Sequence, residues 1–169
     1  VVTLENFDPP KHLDGNQSVV VLANVSSLKD EQVSALSSFV RNGGGLWLAL
    51  GDKVDAEWYN EVLGSEANGL LPLPLRNIGG SLSDDSVRTR VVASHFEHPA
   101  LSLFNDRRNG NLADADLWRW HRLSEAESTG TRDATVLARL ETGDVFLAEK
   151  KVAKGIVMQM ACTVDGDWT

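Results

Sequence analysis

Between residues 18 and 50 the apolar positions change their period twice. Val19 to Leu22 is an unbroken apolar run rich in β-branched side chains, the pattern of a strand covered on both faces. Ser27 followed by Asp30 offers a capping-box-like start, and Val33, Leu36 and Val40 then recur at helical spacing up to Asn42-Gly43, where a helix stops. Leu46 to Leu50 is again continuous and apolar. Strand, helix and strand in this order make a βαβ unit, whose right-handed crossover sets the two strands parallel and adjacent. A second helix is expected from Val54 to Leu63, with Val54, Trp58 and Val62 four apart and Gly64 as its stop. In "LLPLPL", residues 70–75, two prolines remove ladder donors and exclude a central strand. Residues 64–86 therefore read as a long excursion with a turn at Gly79-Gly80.

The last third changes character. Val87 to Ala93 reads as a strand, "HPALSLF" from His98 to Phe104 as a short helix or turn, and residues 105–116 as a polar loop. "DLWRWHRL", "ATVLARL", "DVFLAEK" and "GIVMQMA" are four strand-like runs, and the spacers "ETG" and "KVAK" between the last three suit antiparallel hairpins. The pattern predicts an α/β domain with a mainly parallel central sheet, extended by an antiparallel β meander in the last third.

Composition narrows the function classes. At 169 residues, 42% hydrophobic and 24% charged, the chain is expected to be one domain over 1–169, able to bury a core without metal or disulfide. Lys and Arg number 16 against 24 Asp and Glu, a formal charge of -8, which argues against a phosphate-backbone partner and hence against nucleic acid. No run is long and apolar enough to span a bilayer, so no membrane contact is expected of the domain itself. Cys162 is the only cysteine, which excludes an intrachain disulfide and a thiolate metal cluster. The abrupt start and the end in "CTVDGDWT" suggest a domain taken from a longer chain.

The strand-to-helix exit at Leu50-Gly51-Asp52 lies at the carboxyl end of a parallel strand, where open α/β sheets bind ligands. Gly51 and Asp52 are therefore the candidate ligand-binding residues. A nucleophile elbow needs Ser or Cys there, and none occurs from Gly45 to Asn60, so no catalytic residue is assigned. The simplest role for Asp52 is to cap the following helix. Gly43-Gly44-Gly45 precedes a strand, whereas nucleotide-binding glycines follow one. His95 and His98 lack further ligands nearby, and aligning the 105–116 loop as an EF-hand puts Arg107 and Ala113 on ligand positions. No metal or cofactor is expected. Trp118 and Trp120 alternate on one strand face, and with Trp168 they are the candidate interface residues, Trp168 being expected to be the most exposed. Cys162, ending an apolar strand, reads as a small buried hydrophobe.

"VVVLANVSSLKDEQVSALSSFVRNGGGLWLALGD" resembles the class I glutamine amidotransferase-like superfamily. Together with "EHPALSLF", "TVLARLETGDVFLAEKKVAKGIVMQMA" and "DGDW", it is similar to domains of planctomycete Bat-type, aerotolerance-like proteins. In these, amino-terminal membrane segments and a von Willebrand factor A-like region precede such a domain. The resemblance implies a flavodoxin-like, Rossmann-like three-layer sandwich, a membrane-anchored parent and an extracytoplasmic position for the domain. Active amidotransferases carry an elbow Cys with a distal His and Glu, which this chain lacks. The expectation is a non-catalytic interaction or ligand-binding domain whose partners are neighbouring domains or another protein. The alternative is a hydrolase pairing Asp52 with His95 or His121.

Overall fold

The computed structural model describes residues 1–13, 15, 18–84, 87–92, 96–125, 134–164 and 168. The βαβ unit forms as the pattern predicts. β1 (Val19–Ala23), α2 (Asp30–Arg41) and β2 (Gly45–Ala49) follow one another after a short α1 (Pro9–His12), and β1 and β2 pair in parallel, Val21 opposite Trp47. The cap of α2 falls at Lys29 rather than Ser27. The Gln32 side chain accepts the Lys29 amide at 3.0 Å, half of a capping box, since lysine has no acceptor to return the bond. After β2 come α3 (Ala56–Trp58), continued by a π-helical turn (Tyr59–Leu63), then β3 (Leu75–Gly80) and β4 (Thr89–Val92). The last third contributes β5 (Asp116–Leu117), β6 (Arg119–Leu123), β7 (Ala134–Leu140), β8 (Val145–Val152) and β9 (Gly155–Met160).

These strands do not build the expected flavodoxin-like, Rossmann-like three-layer sandwich. Among the described residues seven strands form one mixed sheet in the order β1-β2-β9-β8-β7-β4-β5, curled into a half-barrel, and β3 and β6 pair separately. The parallel part is confined to β1, β2 and β9, while β8, β7, β4 and β5 run antiparallel to their neighbours. The reason lies in the connections. A parallel pair needs a crossover of a dozen or more residues, whereas β7, β8 and β9 are joined by tight turns and can only alternate direction. The meander is thus not an extension but half of the sheet itself.

Layering follows from the same economy of helices. α2, of 12 residues, turns Val33, Leu36 and Val40 onto the face carrying Leu22, Leu46, Leu48 and Val157, all within the core. The chain between Leu63 and Leu75 covers more of that face, and it is pinned there by Gln159. This fully buried side chain accepts the Leu73 amide at 2.9 Å and donates to the Leu73 carbonyl at 3.0 Å. Among the described residues the opposite face receives no comparable helix. It is covered at β7 and β8 by the segment around Phe96, Leu101 and Phe104, where His98 Nε2 meets Glu149 Oε2 at 3.0 Å. At Val19, Val21 and Ile156 no described element covers it, whereas Ala49 on the same face is fully buried. Val19 is 55% exposed, Val21 50% and Ile156 40%, and Trp47 and Met158 are half-buried. β1 is therefore an edge strand covered on one face, not the doubly covered strand its apolar run suggests.

β3 is disguised in the pattern by its glycines. A side chain at Gly79 would run into the Trp120 ring, and Gly80 adopts φ +78 against the Trp118 backbone. Both serve close packing of β3 on β6 rather than a turn.

Candidate functional site

The carboxyl ends of β1, β2 and β9 converge where Leu50 donates its amide to the Met160 carbonyl at 3.2 Å. β1 is followed by Asn24, held at φ 51, a left-handed conformation that asparagine tolerates better than most residues. Its side chain bridges to the neighbouring turn, donating to Asp52 Oδ1 at 2.8 Å and accepting the Lys53 amide at 2.9 Å. The Asn24 bond holds the Asp52 carboxyl below its ordinary value, with smaller help from its own backbone, Lys53 and Arg119 against a desolvation cost. Gly51 has no room for a side chain, because a Cβ would collide with Asn24 and Thr163. Asp52 is not the helix cap. That role belongs to Asp55, whose Oδ1 accepts the Trp58 amide at 3.1 Å.

Beneath this turn lies His121. Its Nε2 is 3.0 Å from the Gly51 carbonyl, and since a carbonyl only accepts, Nε2 carries the proton. Among the described residues Nδ1 has no partner at full bonding geometry, though the Arg76 backbone lies close enough to act on the ring. The ring is 2% exposed and stacks on Trp168 at 5.5 Å between centroids, and the Arg119 guanidinium covers the Trp168 ring at 5.0 Å. Burial pushes the His121 pKa down. The Gly51 bond opposes this, the Arg119 charge adds to it and the Arg76 backbone again opposes. Cys162, just past β9 and 2% exposed, donates weakly to the Thr163 carbonyl at 3.4 Å. The carboxylate and the imidazole are thus each bonded elsewhere, Asp52 to Asn24 and His121 to Gly51. His95 lies outside the described residues. Among the described residues no three His, Cys, Asp or Glu side chains converge to hold a metal.

The tryptophan candidates divide. Trp118 is half-buried at the break between β5 and β6, with the Arg88 guanidinium 6.0 Å above its ring. Trp120 is 2% exposed and donates Nε1–H to Asp144 Oδ2 at 2.7 Å. Trp168, expected to be the most accessible, is 1% exposed. It is held by its stack on His121 and by its carbonyl, which accepts the Trp118 amide at 2.8 Å. Two residues escaped the sequence reading. Asn24 organises the turn, and its signal was a lone amide ending an apolar strand. Trp47 sits at the centre of the open face, in one cross-strand row with Val21 and Met158.

No known protein family and no curated protein matches the chain. Solved structures do share its fold. It is similar to the cytoplasmic protein STM3548 of Salmonella typhimurium, with a TM-score of 0.67 at 14% identity over 95% of this chain and 65% of that one. It is likewise similar to the cytoplasmic protein STM1381 of Salmonella typhimurium LT2, with a TM-score of 0.65 at 18% identity over 89% of this chain and 62% of that one. The chain thus spans less than two thirds of either. A β-galactosidase from Rahnella sp. R3 aligns with a TM-score of 0.58 at 14% identity, 85% of this chain matching 20% of the enzyme. At such identities the likeness is one of fold. Among the described residues no helix is long and apolar enough to cross a membrane.

Proposed function

We propose that this chain is a non-catalytic interaction domain that offers the open half of its sheet to a neighbouring domain or to another protein. The observation that carries this reading is the row of Val21, Trp47 and Met158, flanked by exposed Val19 and Ile156, on a part of the sheet face that no described element covers. A contiguous apolar patch with an aromatic and a methionine at its centre has the make-up of an interface core. The elbow supports the same reading, since its carboxylate and imidazole are each committed to a structural bond and the ring is shielded from solvent. Attachment to a membrane-anchored parent, with the domain outside the cytoplasm, belongs to the proposal through the sequence resemblance alone. The Salmonella neighbours, described as cytoplasmic, lend that location no support.

The test has two arms. Purified protein is assayed with glutamine, a p-nitrophenyl ester and a p-nitrophenyl β-galactoside, the last because one fifth of a β-galactosidase aligns with this fold. No turnover is expected, and turnover removed by Asp52→Asn would establish the hydrolase alternative. In the native cell, residues around Ile156 and Met158 are expected to crosslink to a protein surface, and Ile156→Lys to abolish those crosslinks. Equal crosslinking by the variant would remove the open face from the reading.

A further inference from the structure

The open half of the sheet ends in an open edge. Ser18 accepts the Gly45 amide and Asn24 donates to the Ala49 carbonyl, each at 2.9 Å, which fixes the alternation along β1. Ser18, Val20, Leu22 and Asn24 turn their main chain to β2, while the N–H and C=O groups of Val19, Val21 and Ala23 point away from the sheet. Among the described residues no strand lies beyond them. Proteins blunt such edges with charge, proline, bulges or very short strands. The far edge of this sheet follows that rule, because β5 has two residues and Arg90 pairs with Asp116 across it. β1 does not follow it. Its five residues, VVVLA, pair with β2 without a bulge and hold no charge or proline.

Alongside this edge runs a groove of about 600 Å3. Its floor is β1, and its opposite wall is the amino-terminal segment, with Val2, Leu4, Phe7 and Leu13. The wall decides what fits. A strand with a whole sheet behind it, such as β1 of a second copy, would collide with residues 1–13, whereas a lone extended segment can lie between them and β1. His12 is the only ionisable side chain among the lining residues. In a chain of net charge -8 the groove holds no acidic, lysine or arginine side chain, and a charged segment would lose solvation there for little return in counter-charge.

Building on the interaction reading, we infer that the β1 edge takes up an extended, uncharged, β-branched segment of a partner protein as an added strand. Main-chain bonds to Val19, Val21 and Ala23 hold it. Its alternate side chains extend the row of Val19 and Val21 on one face and meet Phe7 and Leu13 on the other. This is strand addition, in which the edge supplies affinity and the flanking pockets supply selection.

The probe is an acetylated and amidated peptide, Ser-Val-Thr-Val-Thr-Val-Ser, titrated into 15N-labelled protein while sedimentation velocity records the oligomeric state. Shifts are expected at the Val19, Val21 and Ala23 amides, with the protein remaining monomeric. Val21→Pro removes one outward N–H without touching the β2 ladder, a substitution edge strands tolerate, and should weaken binding at least tenfold. Val21→Lys keeps the N–H but places a charge in the groove, and it should weaken binding comparably, which secures the test if the proline variant fails to fold. Val21→Thr should bind like the parent. Absence of binding up to about 1 mM peptide overturns the inference. So does a dimer that Val21→Lys returns to monomer, which would make a second copy the occupant. Binding lost in Ile156→Lys but kept in Val21→Pro overturns the edge while leaving the open face as the contact surface.

Discussion

His121 Nε2 lies 3.0 Å from the carbonyl oxygen of Gly51, a contact between residues 70 positions apart that ties β6 to the turn after β2. Burial disfavours the charged form of this imidazole by more than its backbone bonds favour it. Its folded pKa is therefore below the unfolded value of about 6.5. The unfolded chain binds the extra proton first as pH falls, so the stability associated with His121 is complete above about pH 6.5 and declines below it until the folded pKa is passed. Melting curves of the parent between about pH 7.5 and 5.5, the window in which the unfolded imidazole titrates, should fall more steeply than those of His121→Gln. Parallel curves would show that the buried imidazole does not contribute to the acid side of the profile.

Two tryptophans should respond in opposite ways to loss of the indole nitrogen. Trp120 Nε1 donates to Asp144 at 2.7 Å, a bond to a charged acceptor that contributes about 1.5–3 kcal/mol. Trp47 Nε1 is buried without an acceptor among the described residues, so replacing it relieves a desolvated donor. Urea unfolding should rank Trp120→Phe well below Trp47→Phe. An equal loss in both would mean that ring volume, not the N–H, decides the outcome.

Asn24 is expected to control the Asp52 carboxyl. Asn24→Ala removes the bond chiefly responsible for its lowered pKa, and the Asp52 carboxyl carbon should then titrate closer to the ordinary aspartate range by NMR. Asn24→Asp, by contrast, places a second carboxylate beside the first and should raise the Asp52 titration further. An unmoved Asp52 titration in both variants would assign the lowered pKa to the remaining neighbours.

Thr89, 1% exposed on β4, has a hydroxyl buried without a partner among the described residues. A valine in its place would keep the shape and the β propensity while discarding the unsatisfied group. Thr89→Val should leave the protein as stable as the parent or more stable by about 1 kcal/mol. A clear loss in denaturant midpoint would reveal a bond from Thr89 Oγ1 that forms in solution.

The contrast between β1 and β9 shows how far the sequence could be read. The βαβ unit was legible because its helix repeats apolar residues at one period and its strands at another, and the parallel pairing of β1 with β2 follows from the single crossover. The location of β9 was not. "GIVMQMA" looks the same whether it ends a meander or lies against β2, since its partners are set by contacts remote in sequence. Continuous apolarity misled at β1 for a related reason. A valine facing an uncovered sheet and one facing a helix are the same letter, so the missing third layer left no local mark. At the elbow Gly51 was legible through its position, whereas Trp168 was not, because its burial depends on His121 and Arg119, whose approach no local pattern records.

β9 occupies the position between β2 and β8, and this governs the order in which the chain can assemble during synthesis. β2 leaves the ribosome with one flank unpaired and must wait for residues beyond 155 before that flank closes. At translation rates of about 5–20 residues per second, the interval lasts on the order of 5–20 s. During it, Leu46 and Leu48 stand beside an unfilled slot in a nascent chain, and pairings between neighbouring nascent chains compete with the correct one. Holding factors that bind apolar strands early, or codons that speed passage through residues 50–155, would therefore raise the yield of folded protein without altering the finished molecule.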